Sequence, residues 1–278
     1  MPDTFPRTTD IPAQSPLFWV THKDRYLRQL LIRDIEEVTG RELLVYFTDC
    51  DRSTATIDPA DDTYLAELLN NRQKEPVDLL LETNGGYTDA TEKICALLRK
   101  TAPDLRVIVP RRAKSNGTVI ALCGKSVVMS STSELGPIDP LVGGVPVDFI
   151  LKAPPQTINP IQLQVALTAL AQTKKLAKQL LSTGMMSAKL GDIDATIAKL
   201  ASRDHFHSHG SVMDCSEALQ LGLNVEEIDA KSELWRQIWL LRTMYSYDCG
   251  RNGHAKLFES NRLSTAVTVT PPTPAPAP

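Results

Sequence analysis

Val77-Asp-Leu-Leu-Leu-Glu-Thr-Asn-Gly-Gly86 decides the fold. An apolar run that ends in a diglycine reads as a buried strand entering a tight turn. Leu105-Arg-Val-Ile-Val-Pro110 repeats the pattern ahead of Ala113-Lys-Ser-Asn-Gly-Thr118. Between the two, Ala90, Ile94, Leu97 and Leu98 mark one face of a helix over 87–100. After Ser115, Thr118-Val-Ile-Ala-Leu-Cys-Gly124 predicts a second, more buried helix. The unit is strand, Gly-Gly turn, helix, strand, Ser-Asn-Gly turn, helix. Two small-residue turns then lie at the same end of neighbouring parallel strands, where open α/β sheets bind their ligands.

That juxtaposition suits acyl transfer. A serine at a helix N-terminus presents its hydroxyl among free backbone N–H groups, which can also hold a developing oxyanion. The diglycine adds N–H groups that a substrate can approach closely. Ser115 is the candidate nucleophile. A lone Ser-Asn-Gly is ordinary turn chemistry, and only the combined pattern singles it out.

Working outward, the strand–helix alternation continues on both sides. Tyr26, Leu27, Leu30, Leu31 and Ile35 predict an amphipathic helix over 23–38 that Thr39-Gly40 ends. Residues 41–48 read as the first strong strand, and 63–72 as a helix after an acidic loop. The sum is an α/β fold with a largely parallel sheet and flanking helices. Beyond Pro140, 141–151 reads as a strand or channel lining that prolines keep out of helix. Helices follow over 160–181, 192–202 and 213–223, the last with Asp214 as N-cap, Glu217 completing a capping box and Gly222 as C-cap. A short strand over 224–229 precedes an amphipathic helix over 231–247, whose Trp235 and Trp239 demand cover from the body, another subunit or, least in keeping with its polar face, a membrane. The expected organisation is an extended arm over 1–24, a catalytic domain over 25–229, an amphipathic helix and extension over 230–261, and a disordered proline-rich tail over 262–278. Phe18 and Trp19 would anchor the arm.

Composition excludes several classes. The 278 residues, 42% of them hydrophobic, suffice for a sizeable core, and a net charge of −3 leaves no footprint for nucleic acid. Five cysteines without C-x-x-C spacing argue against a disulfide framework or a zinc site and suit a reducing cytoplasm. No signal peptide and no membrane-crossing run is legible.

Glu82-Thr-Asn-Gly-Gly86, Val109-Pro-Arg-Arg-Ala-Lys-Ser-Asn-Gly-Thr118 and Leu135-Gly-Pro-Ile-Asp-Pro140 together resemble the serine dehydrogenase proteinase family, from about Tyr26 to Asp229. Ser208-His209 and Glu217-Ala-Leu-Gln-Leu-Gly-Leu223 resemble its Thr-His and Glu-Ala-x-x-Leu-Gly-Leu elements. The family usually has His-Thr-Pro-Gly-Gly where Glu82-Thr-Asn-Gly-Gly stands, and Met-Ser-Gly or Met-Ser-Ala at Lys114-Ser115-Asn116. The resemblance implies the Clp-protease/crotonase fold, a ββα-repeat spiral, shared with the signal peptide peptidase A proteases. It also implies a cytoplasmic, homo-oligomeric serine endopeptidase, ATP-independent or partner-dependent, that acts on polypeptides without cofactor or metal. Gly86 and Asn116 would form the oxyanion hole, and Gly85, Gly136 and Asp139 would contact substrate.

The hydroxyl needs a base, and the chain has neither His nor Lys between 126 and 151. Lys175, at the family's Lys-Ala-x-x-Gln position, would serve if desolvated. His209 matches the Thr-His position, and Lys152 is a third candidate. Asp139 reads first as a cap on the turn at Pro140 and second as an orienter of the base. Alternating His205, His207 and His209 lack an acidic partner for a metal. Two other readings stay open: a catalytically impaired scaffold, because the residues flanking Ser115 are altered, and a crotonase-like acyl-CoA or thioester enzyme, which would need a carboxylate pair the chain does not display.

Overall fold

A computed structural model describes residues 15–73 and 75–268. In chain order it contains α1 (Pro16–Thr21), α2 (Lys23–Thr39), β1 (Glu42–Thr48), α3 (Asp61–Asn70), β2 (Val77–Glu82), α4 (Thr88–Thr101), β3 (Leu105–Ile108), β4 (Arg112–Ala113) and α5 (Asn116–Ala121). Then come β5 (Ser126–Met129), β6 (Glu134–Leu135), β7 (Leu141–Val142), β8 (Val145–Pro146), α6 (Val147–Lys152), α7 (Pro160–Thr183), α8 (Ile193–Leu200), α9 (Cys215–Gln220), β9 (Val225–Glu227), α10 (Glu233–Asn252), β10 (His254–Glu259) and β11 (Ser264–Thr268).

The main sheet runs β11-β10-β1-β2-β3-β5-β9. The five strands from β1 to β9 pair in parallel, while β10 and β11 add an antiparallel edge. The central strands β1 and β2 are buried along their whole length because both faces are covered. Leu44, Tyr46, Leu79 and Leu81 point into the larger core under α3, α4, α5, α7 and α8. Their alternates Leu43, Val45, Phe47 and Leu80 meet α2 and α10 on the other face. A second, narrower ribbon crosses the strand ends. Thr83 bridges Ala113, β4 pairs in parallel with β6, and Leu135 bridges Met213 antiparallel. Strand, ribbon segment, helix therefore repeats along the chain, which is the ββα architecture.

Several expectations change here. Residues 16–21 are helical, with Ser15 as N-cap, and Trp19 packs edge-on against Tyr26 of α2; residues 1–14 lie outside the described residues. The short strand β5 had no separate sequence signal. The 141–151 stretch is a hairpin (β7–β8) followed by α6, because Pro146 occupies the N-cap, where it needs no N–H donor, and leaves 147–152 free to coil. The extension and tail are a β-hairpin as far as Thr268, with 269–278 outside the described residues. Trp235 is buried in the body beside Ile238 and Leu241, whereas Trp239 stays about one-third exposed.

A buried ion pair ties α10 to the strand that leads into the diglycine turn. Arg242 donates to both oxygens of Glu82, at 2.8 and 2.6 Å, and Glu82 has no exposed surface. Burial pushes the Glu82 carboxyl above the ordinary carboxylate range, and Arg242 with the more distant Arg111 and Arg112 pulls it back. Arg242→Met strands that carboxylate. We expect a loss of about 3–5 kcal/mol at pH 7.5 in urea unfolding. An acid with a raised folded-state pKa binds its proton more tightly when folded, so the deficit shrinks as pH falls towards 5. A loss that stays constant across that range contradicts this reading.

Candidate active site

Two turns meet where β2 and β3 hand over to the ribbon. Gly85 adopts φ +99°, and a Cβ there would lie 2.9 Å from both Lys114 O and Ser115 Cβ and 3.1 Å from Asn116 N. Only glycine fits that contact. Asn116 fastens the two turns together, its Nδ2–H group donating to Gly86 O (2.6 Å) and to Thr88 Oγ1 (3.2 Å).

Ser115 is the single non-glycine residue with positive φ among the described residues, at φ 53° and ψ −122°. Such a backbone costs on the order of 1–3 kcal/mol and persists only where its surroundings over-determine it. Three bonds do so. Gly117 N–H donates to Lys114 O (2.7 Å), Lys114 N–H to Thr83 O (3.0 Å), and Val119 N–H to Ser115 O (3.3 Å). The hydroxyl is thereby lifted off the start of α5, whose first N–H, that of Asn116, precedes the intrahelical ladder. Gly86 N–H likewise makes no backbone hydrogen bond among the described residues. Ser115 Oγ has no hydrogen-bond partner among them either.

The ribbon carries Ser115, Asp139 and His209 outward from one row. Ala113, Leu135 and Met213 lie side by side in register. From that row the chain reaches Ser115 two residues on, Asp139 four residues on, and His209 four residues back along the antiparallel segment. His209 Nδ1 is 2.9 Å from Asp139 Oδ1, and Arg203 Nε donates to Asp139 Oδ2 (2.7 Å). With Nδ1–H given to the carboxylate, the imidazole keeps its lone pair on Nε2. Asp139 is buried, and its two oxygens are taken up by His209 and Arg203, so it neither caps the turn at Pro140 nor offers an oxygen to substrate, the two roles that the sequence suggests.

The lysine candidates lie elsewhere. Lys175 is exposed on α7 beside Gln172 and Gln179, so it lacks the desolvation that a lysine base requires. Lys152 is exposed on α6 and paired with Asp204 at 2.6 Å. His205 lies 3.4 Å from Glu217, and no cluster able to hold a metal occurs among the described residues.

Sequence reasoning missed the clamp built around Lys114. Its ammonium donates to Leu135 O (3.1 Å) and Ser211 O (2.9 Å) and meets Glu134 at 3.1 Å. Burial pulls this ammonium down and Glu134 partly restores it. Fully engaged, Lys114 staples the serine turn to the segment that carries His209. Thr118 does the same for Gly136: its Oγ1 lies between the carbonyls of Ala113 (2.7 Å) and Gly136 (2.8 Å) and accepts from Gly136 N–H (3.0 Å). Gly136 thus lies in the ribbon, close against the Lys114 stem. A Lys immediately before a Ser-Asn-Gly turn was the available signal for this clamp. Arg203, 64 residues from Asp139, had none.

The geometry offers a strained serine, an oriented imidazole and two backbone N–H groups, the parts of an acyl-transfer centre. Comparison with known proteins bears on the family. A 32% identical match over 178 residues and a 37% identical match over 78 residues relate the chain to two uncharacterized proteins of Methanocaldococcus jannaschii. The matches cover 59% and 28% of this chain and span only 59% and 27% of those relatives' own lengths. Among solved structures, ClpP1 from Listeria monocytogenes aligns over 75% of this chain and 99% of its own at 17% identity and a TM-score of 0.46. A mutant of that same ClpP1 aligns over 72% and 98% at 12% identity and a TM-score of 0.45. The model of the ClpP-like SDH-type serine proteinases matches residues 54–252, which include both turns, Asp139 and His209, and the chain belongs to that family.

Proposed function

We propose that the protein is a serine endopeptidase in which Ser115 attacks the peptide carbonyl and His209 is the base. The observation that carries this reading is the backbone of Ser115: a non-glycine residue in a disfavoured conformation, its hydroxyl without a partner among the described residues, pressed against a diglycine turn. His209 Nε2 takes the hydroxyl proton as the bond to the carbonyl carbon forms and returns it to the leaving amine. Asp139 holds the ring, and Arg203 holds Asp139. The N–H groups of Gly86 and Asn116 receive the oxyanion of the tetrahedral intermediate. Gly85 and Gly136, read from the sequence as substrate contacts, are buried with their N–H and C=O groups engaged, so their part is to hold the two turns. Ser115 and His209 share no hydrogen bond among the described residues; catalytic contacts of this kind commonly tighten only when substrate is bound. No cofactor is needed for these steps.

The substrate is a polypeptide, and the working form is a homo-oligomer. Phe149, Ile161, Val165 and Leu167 expose apolar surface on α6 and α7, which supports association of further copies there. Among the described residues no helix is long and apolar enough to cross a membrane.

Two experiments test the reading. Incubation with a fluorophosphonate probe and with casein should label and cleave through Ser115, and Ser115→Ala should abolish labelling and lower cleavage by about 10⁴-fold or more. A folded oligomer that neither labels nor cleaves is a scaffold. The base is separated by steady-state kinetics on a fluorogenic peptide. His209→Ala should reduce kcat by about 10²–10⁴-fold, while Lys175→Met leaves it within the wild-type range. The reverse ranking moves the proton to Lys175 and refutes the assignment to His209.

A further inference from the structure

Ile57 closes over the diglycine turn. Its N–H donates to Gly85 O (2.9 Å) and its carbonyl accepts from Tyr87 N–H (3.0 Å), so Gly86 is held from both sides. The fit leaves no space, since a Cβ on Gly86 would run into the Ile57 backbone. Ile57 is buried in the core, and the next residue is held in turn by its side chain. Asp58 Oδ1 accepts from Ala60 N–H (2.9 Å), and Asp58 Oδ2 receives the ammonium of Lys256.

Lys256 is an unusual residue for its place. It is a central residue of β10, 2% exposed, facing the start of α3. It donates to both oxygens of Asp61, at 2.8 and 2.9 Å; Asp61 also accepts from the Tyr46 hydroxyl and from Asp58 N–H (3.0 Å). An ammonium taken out of water is costly to hold, and an apolar side chain of similar volume usually serves stability as well or better. A buried lysine is therefore a weak means of stabilising this edge. It is a sharp means of fixing two carboxylates, one of which belongs to the loop over the diglycine turn. Lys256 also lies beyond residues 54–252, so this tether comes from outside the family-matched segment.

We infer that Lys256 is a positioning residue for the active site: through Asp58 it fixes Ile57, and through Ile57 it sets the direction of the Gly86 N–H. The C-terminal hairpin thereby has a task in catalysis as well as in closing the sheet edge. The catalytic half of this inference rests on the peptidase reading, while the structural half does not.

Lys256→Met would leave Asp61 buried without its cation and is a poor test, because that loss by itself can prevent folding. Asp58→Ala removes only the half-exposed partner and keeps the Lys256–Asp61 pair. Hydrogen–deuterium exchange on the full chain should then show faster exchange in 83–87 and 55–58, with β2 unchanged. Change confined to the first turn of α3, or spread evenly over the molecule, overturns the tether. In turnover of a fluorogenic peptide, Asp58→Ala should lower kcat by roughly 10–100-fold at little changed KM, as for a misdirected oxyanion donor. Asp58→Asn, which keeps one acceptor, should recover part of the loss. An unchanged kcat overturns the catalytic half. If the wild-type protein shows no Ser115-dependent turnover, the peptidase reading fails by itself, and the exchange pattern still decides whether Lys256 holds the turn.

Discussion

The molecule is built around one contact that only a glycine permits, Gly85 against the Cβ of Ser115. Restraints from several parts of the chain hold that contact closed. The diglycine turn is fixed from one side by Ile57 and from the other by the Asn116 side chain. The serine turn is fixed by Thr83 below it and by the Lys114 clamp beside it. A strained backbone at Ser115 survives because these restraints converge on it from separate parts of the chain. Strain of this kind has a use when it aims a side chain that a relaxed turn would fold back onto the helix.

Charge supports the site from behind in three places, each built on at least one charge withdrawn from water. Glu82–Arg242 anchors the end of β2 to α10, Lys256 with Asp58 and Asp61 anchors the loop over Gly86, and Arg203–Asp139 anchors the imidazole of His209. Buried ion pairs contribute little net stability, but breaking one leaves an uncompensated charge. They act here as locks of position. The ribbon complements them through backbone bridges and the pairs of Glu134 with Lys114 and Arg112, carrying His209 in from a segment far beyond the serine in the chain.

The sheet was legible because its central strands are apolar on both faces, as in Leu79-Leu80-Leu81, and because a diglycine marks the end of β2. The serine turn was legible from small residues in sequence. The C-terminal hairpin was not: Lys256 and Glu259 look like solvated residues in an extension, and only pairing partners far away in sequence bury them. Strand β5 escaped because Ser126-Val-Val-Met129 is too short to show a period. Proline misled at 141–151, since Pro146 starts a helix there rather than preventing one. For the site, His209 was reachable through resemblance, but its partnership with Asp139 is a tertiary contact over 70 residues. Lys175 attracted attention by sequence position, and its exposure on α7 removes the physical condition a lysine base needs.

A crystal structure of the protein with a peptide boronic acid tests the central claim most directly. The expected result is a tetrahedral boron bonded to Ser115 Oγ, one boron oxygen within about 2.7–3.1 Å of the N–H groups of Gly86 and Asn116, and His209 Nε2 turned towards the adduct. A boronate bound through another residue, or a Ser115 hydroxyl left free beside an empty diglycine turn at saturating inhibitor, would contradict it.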